Sequence, residues 1–205
     1  MKKKLLEYVA CPICNGCLAL EEGYRSNGIE ISDGLLHCGS CKSDFPIVND
    51  IPRFVSWDNY SNNFGFQWNL FRMTQLDSQN NTKISGDRFF RQTKWRSEEI
   101  KGKIILDAGC GAGRFAEIAL AEGAIVIAVD QSKSVDACLA NLKGNHNLHV
   151  LEADIYNLPF GSDVFDYIYC FGVLQHTPNP KKAFLKLVKK LKKNEKICVD
   201  SYRKD

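Results

Sequence analysis

The sequence predicts an α/β fold: a doubly wound, mostly parallel sheet, with a small zinc ribbon at the N-terminal end. Short apolar runs alternate with helical patterns through the second half of the chain, as expected for parallel strands that are buried on both faces. Two Cys-x-x-Cys pairs near the N-terminus, Cys11/Cys14 and Cys38/Cys41, have the spacing of zinc ligands. These observations predict two structural units of different kinds.

The first predicted strand, residues 104–108, runs directly into three alternating glycines, Gly109, Gly111 and Gly113. Glycines let the backbone approach a ligand closely because no side chain blocks it, and the amides of a turn that opens a helix attract polar groups. The helix that follows is expected to end at Gly123. The turn therefore predicts a site for a small ligand.

The second predicted strand, residues 125–129, is continuously apolar and ends on Asp130. An acid about 20 residues past a glycine turn is placed to accept hydrogen bonds from ribose hydroxyls. The glycine spacing is G-x-G-x-G rather than G-x-G-x-x-G. This difference argues against a dinucleotide with a pyrophosphate.

Three further strands and two helices continue the alternation. Strands are predicted over 148–151, 165–170 and 196–199. Ser132 is expected to cap a helix that ends at Gly144, with Val135, Cys138, Leu139 and Leu142 on one face. Asn179 and Pro180 are expected to open a second helix, with Phe184, Leu187, Val188 and Leu191 on its buried face.

Residues 107–113, Asp130, 152–155 and 165–168 together resemble the class I methyltransferases that use S-adenosylmethionine. The resemblance implies that the glycine turn packs on the methionine part of the cofactor, that the acid after the second strand binds the ribose, and that the acid after the third strand meets the adenine. The cofactor-binding residues it implies are Asp107, Gly109, Cys110, Gly111, Gly113, Asp130, Gln131, Asp154, Ile155 and Phe171.

The segment 172–178 after the fourth strand resembles the V-L-x-H stretch of the same family and contains His176. If the methyl acceptor is a hydroxyl, His176 is the candidate base that removes its proton. The alternative is that His176 only caps the following turn. The family's sheet has seven strands, so we expect the fifth strand to be an exposed edge of a fragment, of a truncated protein, or of a protein whose partner or second copy covers it.

Two Cys-x-x-Cys pairs can complete a tetrahedral shell of four thiolates, which leaves no open position and is typical of structural zinc. The predicted ligands are Cys11, Cys14, Cys38 and Cys41, and the neighbouring Cys17 and His37 fit the spacing less well. Residues 8–14 and 45–52 resemble the Trm112-like zinc ribbons, which implies a short helix before the first pair. The other cysteines, Cys110, Cys138, Cys170 and Cys198, are expected to act as small buried hydrophobic residues.

We therefore predict a zinc ribbon over 1–53, an aromatic-rich segment over 54–100 and a cofactor-binding domain over 101–205. The middle segment contains all three tryptophans and is either a lid over the cofactor or a set of helices that packs the ribbon onto the domain. We expect residues 64–71 to approach the cofactor.

The leading functional prediction is a methyltransferase for a small-molecule or glycan-like acceptor. The alternatives are an RNA methyltransferase whose ribbon grips RNA, and a domain that binds cofactor or a partner without turnover. The net charge of +3 is too small to indicate a nucleic-acid-binding protein. No apolar run has the length of a membrane span or the context of a secretory signal, so we expect a cytoplasmic protein.

Overall fold

The computed structural model describes residues 1–28, 30–55 and 70–201. The N-terminal unit begins with a 3₁₀ helix, Lys3–Glu7, as the ribbon resemblance implies. Its five strands are β1 (Leu18–Leu20), β2 (Arg25–Ser26), β3 (Ile31–Cys38), β4 (Asp44–Val48) and β5 (Ile51–Pro52). They form an antiparallel sheet of order β1-β3-β4-β5, with β2 paired to β3.

The second sheet is entirely parallel and has the order β10-β9-β6-β7-β8. This is the order of a doubly wound sheet, and it confirms the predicted fold class. Its strands are β6 (Ile104–Ala108), β7 (Ile125–Asp130), β8 (Leu148–Glu152), β9 (Phe165–Cys170) and β10 (Leu191–Val199). The described helices are α1 (Asp77–Asn80), α2 (Ile84–Thr93), α3 (Ser97–Ile100), α4 (Arg114–Ala121), α5 (Ser134–Leu142) and α6 (Pro180–Val188).

Successive residues of each strand point to opposite faces of this sheet, and two hydrophobic clusters follow from that alternation. Ile105 and Val126 face the cluster that also contains Phe89 of α2 and buried residues of α4 and α5. Leu106 and Ile127 face the other cluster, which combines α6 with Met1, Leu5, Val9, Phe45 and other buried residues of the N-terminal unit. The ribbon and the parallel sheet therefore share one core.

The ribbon also covers the outer edge of β8. Arg53 lies in a parallel bridge with Glu152, and the Phe54 amide donates to the Glu152 carbonyl at 2.7 Å. Such pairing satisfies backbone groups that an edge strand otherwise leaves open. At the opposite side of the sheet, β10 pairs with β9, and no further strand flanks it among the residues that the structure describes.

One local prediction is wrong. The fifth strand starts at Leu191, which pairs with Phe165, so Leu191 does not belong to α6 and Val188 is exposed at the end of that helix. A bulge with Asn194 in the left-handed region interrupts the strand's pattern. Ser132 caps the start of α5, as predicted: its hydroxyl accepts from the Ser134 amide at 3.2 Å and donates to Asp130, although Lys133 is the residue directly before the helix.

The aromatic segment is described only in part. Residues 56–69, which include Trp57, Trp68 and most of the stretch expected to approach the cofactor, lie outside the described residues. Phe71 is exposed, whereas Phe89 and Trp95 are buried in the sheet's second cluster. The described part of this segment thus contributes packing. Among all described helices, none is both long and apolar enough to cross a membrane.

Candidate cofactor site and cysteine centre

The parallel sheet has a cavity of about 310 Å³ at the carboxyl ends of its strands. This is the position at which open α/β sheets bind ligands, because the strand order reverses there, and the volume lies in the range of small-molecule sites. The lining residues follow four strands and are Ala108, Gly109, Gly111, Val129, Asp130, Gln131, Ser132, Ala153, Ile155, Leu158, Phe171, Gly172, Val173, His176 and Thr177.

The glycine turn between β6 and α4 forms the floor of the cavity. Gly109, Gly111 and Gly113 have φ values of +87°, +51° and +91°, which side-chain-bearing residues rarely adopt. A Cβ atom on Gly109 would also collide with the side chain of Val173. The turn is therefore a cradle of bare backbone, in which Gly109 cannot be replaced by a residue with a side chain.

Asp130, at the end of β7, holds this turn in place. Its Oδ2 accepts from the Gly111 amide at 3.1 Å, and its Oδ1 accepts from the amide and the hydroxyl of Ser132 at 2.9 and 2.8 Å. The same carboxylate lines the cavity. It is thus oriented by the protein backbone while it faces the ligand space.

Asp107 lies beneath the turn and is only 2% exposed. Burial raises its pKa to about 8, and the nearby Asp130 carboxylate adds to this increase. The Tyr169 hydroxyl lies beside the Asp107 carboxyl group and acts in the opposite direction, although neither this hydroxyl nor Oδ2 of Asp107 has a hydrogen-bond partner among the described residues.

The connection between β8 and β9 forms one side wall. Ile155 and Leu158 line the cavity, while Asp154 Oδ1 accepts from the Tyr156 amide at 2.9 Å and caps a single 3₁₀ turn, Ile155–Asn157. The Asp154 carboxylate therefore shapes the wall without itself lining the cavity.

The opposite wall follows β9 and carries His176. Phe171 and His176 line the cavity there, and the His176 amide donates to the Val173 carbonyl in a short 3₁₀ turn. Asp200, directly after β10, accepts from the Gly172 amide with one carboxylate oxygen and from Arg88 and Gln92 of α2 with the other. Helix α2 is thereby tied to the rim of the cavity.

The structure brings most of the predicted cofactor residues together. Gly109, Gly111, Asp130, Gln131, Ile155 and Phe171 line the cavity together with the candidate base His176, whereas Asp107, Cys110, Gly113 and Asp154 do not line it. Sequence reasoning missed Ser132, Val173 and Asp200. Asp200 had a usable signal, because it directly follows the predicted strand 196–199, as Asp130 directly follows the predicted strand 125–129. Val173 had none, since its contact with Gly109 depends on the pairing of β6 with β9.

The four predicted zinc ligands also converge. The sulfur atoms of Cys11, Cys14, Cys38 and Cys41 all lie within 4.8 Å of one another. Two of these distances, Cys11–Cys41 and Cys14–Cys38, are 3.5 Å. A zinc ion with four bonds of 2.3 Å separates its sulfur ligands by ~3.8 Å, so this cluster fits a tetrahedral ion. Cys110, Cys138 and Cys170 are buried, as predicted, and Cys198 is partly buried.

The chain matches two protein-family models. Residues 106–199 match a methyltransferase domain, and residues 2–50 match a Trm112p-like protein. The two matched segments correspond to the parallel sheet and to the cysteine-bearing ribbon described above.

Relatives and solved structures resemble the chain over parts of their length. A ubiquinone biosynthesis O-methyltransferase of Coxiella burnetii is 37% identical over 89 residues, which are 40% of this chain and 36% of the relative. An uncharacterized chloroplastic methyltransferase of Arabidopsis thaliana is 25% identical over 205 residues, covering 89% of this chain and 58% of the relative. The chain thus spans less than two thirds of these curated relatives.

A solved complex between the Trm112 methyltransferase activator and a methyltransferase of Haloferax volcanii shares the fold. Its TM-score is 0.52 at 18% identity, and the alignment covers 69% of this chain and 61% of that chain. This likeness concerns the fold alone.

Replacing Asp107 with asparagine should change how stability depends on pH. Because the pKa of Asp107 is about 8 in the folded chain, against 3.8 without the fold, its contribution to the free energy of unfolding is complete below pH 4 and is lost as the pH rises towards 8. Urea unfolding between pH 5 and 8 should show the wild type losing stability relative to Asp107→Asn. Glu98→Gln, at an exposed acid, is the control. A constant difference between wild type and Asp107→Asn would contradict the buried protonated carboxyl group.

Proposed function

We propose that this chain, which matches a methyltransferase domain over residues 106–199 and a Trm112p-like protein over residues 2–50, is a class I methyltransferase that binds S-adenosylmethionine and transfers its methyl group to a small-molecule acceptor. The observation that carries the proposal is the cavity at the strand ends, with a backbone cradle on one side and the Asp130 carboxylate beside it. A nucleoside with an amino-acid tail needs both features.

Each part of the site has a role in this proposal. The Asp130 carboxylate accepts hydrogen bonds from the ribose, and Gln131 lies next to it along the same rim. Ile155 and Leu158 provide the apolar wall for the adenine, while Asp154 keeps that wall in shape through its bond to Tyr156. The glycine turn receives the methionine part, because the bare backbone of Gly109 and Gly111 lines the cavity there.

The sulfonium of the bound cofactor supplies an already activated methyl group, so the protein mainly aligns the acceptor and excludes water. Phe171, Gly172 and His176 form the wall nearest to β9 and β10, where we place the acceptor. His176 is the group there that can take a proton from an acceptor hydroxyl. The name of the 37% identical relative, an O-methyltransferase of ubiquinone biosynthesis, supports a hydroxyl acceptor on a small molecule.

The cysteine cluster is proposed to hold one structural zinc ion. Four thiolates close the coordination shell and leave no position for substrate, and a ribbon of this size has little apolar core of its own. The metal would therefore stabilise the folded ribbon. In this chain the ribbon is covalently joined to the methyltransferase domain, and we propose that its role is to stabilise that domain, with which it shares a core.

Asp130→Asn should weaken binding of S-adenosylhomocysteine by about 1 to 3 kcal/mol, because one charged acceptor of a buried hydrogen-bonding site is lost. Isothermal titration calorimetry on the folded variant measures this change, with Glu98→Gln as a surface-acid control. If the affinity of Asp130→Asn equals that of the wild type, the cofactor does not lie against Asp130.

His176→Gln should lower kcat by about 10²- to 10⁴-fold, the range for loss of a general base, and leave the affinity for S-adenosylhomocysteine within about twofold of wild type. The assay follows methyl transfer to the best acceptor from a panel of phenolic and sugar hydroxyls. His146→Gln, at an exposed histidine, is the control. An unchanged kcat would mean that His176 is not the general base and has only a structural role in its turn.

Cys14→Ser should lose the metal, whereas Cys17→Ser should retain it. Both cysteines are exposed and belong to the ribbon, but only Cys14 lies in the four-sulfur cluster. Elemental analysis of the purified proteins should find about one zinc ion per chain in the wild type and in Cys17→Ser. Equal zinc content in both variants would refute the assigned ligands.

A further inference from the structure

The side wall of the cofactor cavity is held at both of its ends by residues of the ribbon. This wall is the segment 153–158 between β8 and β9. On one side of it, Glu152 meets Arg53 and Phe54. On the other side, Pro159 meets Ala10, whose amide donates to the Pro159 carbonyl at 2.9 Å.

Arg53 makes the stronger of the two attachments. Its Nη1 donates to Glu152 Oε2 at 2.6 Å, and its Nη2 donates to Asp136 Oδ1 at 2.7 Å. Arg53 is 7% exposed and Glu152 is 4% exposed. Removing one partner of a buried pair leaves an uncompensated charge, so Glu152 depends on Arg53 for its position, while the Asp136 side chain, 32% exposed, holds the other side of the guanidinium.

The two acids belong to the elements that carry the cofactor residues. Glu152 ends β8 and directly precedes Ala153, which lines the cavity and whose amide donates to the Asp130 carbonyl at 2.9 Å. Asp136 lies in the first turn of α5, which follows Asp130 and Ser132 in the chain. One guanidinium therefore joins the ribbon to both sides of the ribose and adenine region.

The second attachment comes from the residues directly before Cys11, the first cysteine of the sulfur cluster. Val9 lies in an antiparallel bridge with Phe160, and both side chains are buried in the core that the ribbon shares with the sheet. Cys11 of the sulfur cluster follows two residues later. The position of this end of the wall is thus set by the same segment that carries a zinc ligand.

The wall has little internal structure to keep its shape without these attachments. Its only helical element is the single 3₁₀ turn Ile155–Asn157. Besides the ribbon, the Tyr156 hydroxyl, which bonds to the backbone of Asn179 at 2.8 and 3.1 Å, ties the wall to the start of α6. The ribbon supplies the layer that covers this side of the sheet.

We propose that Arg53 is a positioning residue for the cofactor site, and that through it the ribbon sets the affinity of the adenine wall for S-adenosylmethionine. This inference rests on the proposed function, since it names what the ribbon does for that same site. Arg53 does not touch the cavity and acts through Glu152 and Asp136. A lysine cannot replace it fully, because an ammonium group lacks the planar fork that reaches two carboxylates.

The test compares Arg53→Lys, Arg53→Met and Glu152→Gln with Arg25→Met. Arg25 also belongs to the ribbon and pairs with an acid, Asp33, but it is 77% exposed and remote from the wall. We expect the three test variants to raise the dissociation constant of S-adenosylhomocysteine by about tenfold, the effect of misplacing one charge-assisted hydrogen bond. Arg25→Met should stay within about twofold of wild type.

Amide hydrogen exchange separates positioning from a general loss of stability. In the test variants, exchange at 153–158 should accelerate while exchange at 105–108 in the central strand stays at the wild-type rate. The KM for S-adenosylmethionine should rise while kcat stays within about twofold, because Arg53 does not touch the reacting atoms.

The proposal would be overturned if folded Arg53→Lys or Glu152→Gln bound S-adenosylhomocysteine with the wild-type dissociation constant and exchanged the amide hydrogens of 153–158 at the wild-type rate. It would also be overturned if amide exchange accelerated equally in all strands. If Arg53→Met fails to fold, Arg53→Lys and Glu152→Gln still test the proposal. If the wild type binds no S-adenosylhomocysteine, the proposed function fails, and exchange at 153–158 still reports whether Arg53 holds the wall.

Discussion

The parallel pairing of β6 with β7 on one side and β9 on the other is the constraint on which the site depends. Parallel strands end at the same edge of a sheet, so the segments that follow them meet there. The glycine turn, Asp130 and Phe171 come from distant parts of the chain, and this pairing places them around one cavity. A shift in the register of β6 would separate Gly109 from Val173 and open the floor of the site.

Buried polar groups then refine the geometry that the sheet provides. The Asp130 carboxylate accepts three hydrogen bonds from the turn and from Ser132, so its orientation is set before any ligand arrives. Asp107 lies below it in an apolar environment that disfavours its charged form. Asp200 plays a comparable part at the other wall, where it joins Gly172 to Arg88. Acids at the carboxyl ends of three strands, β6, β7 and β10, thus organise the rim.

The ribbon acts as a third layer of the domain. It contributes apolar residues to the core on one face of the sheet, pairs with the edge of β8, and places the buried Arg53 between two carboxylates. Few buried charges occur without such partners. Because the connection from β8 to β9 carries a single helical turn, the ribbon occupies space that a crossover helix covers in other parallel sheets.

The sequence by itself determined the parallel sheet, the glycine turn, the acid at the end of β7 and the four clustered cysteines, because each is encoded in a short pattern whose physical cause is local. Apolar runs buried on both faces, positive φ values that favour glycine, and pairs of cysteines with two residues between them need no knowledge of distant contacts. Tertiary structure alone decided that Leu191 joins the sheet, that Val173 seals the floor against Gly109, and that Arg53 links the ribbon to Glu152 and Asp136. These contacts join residues far apart in the chain, and their energies depend on burial, which no local pattern records.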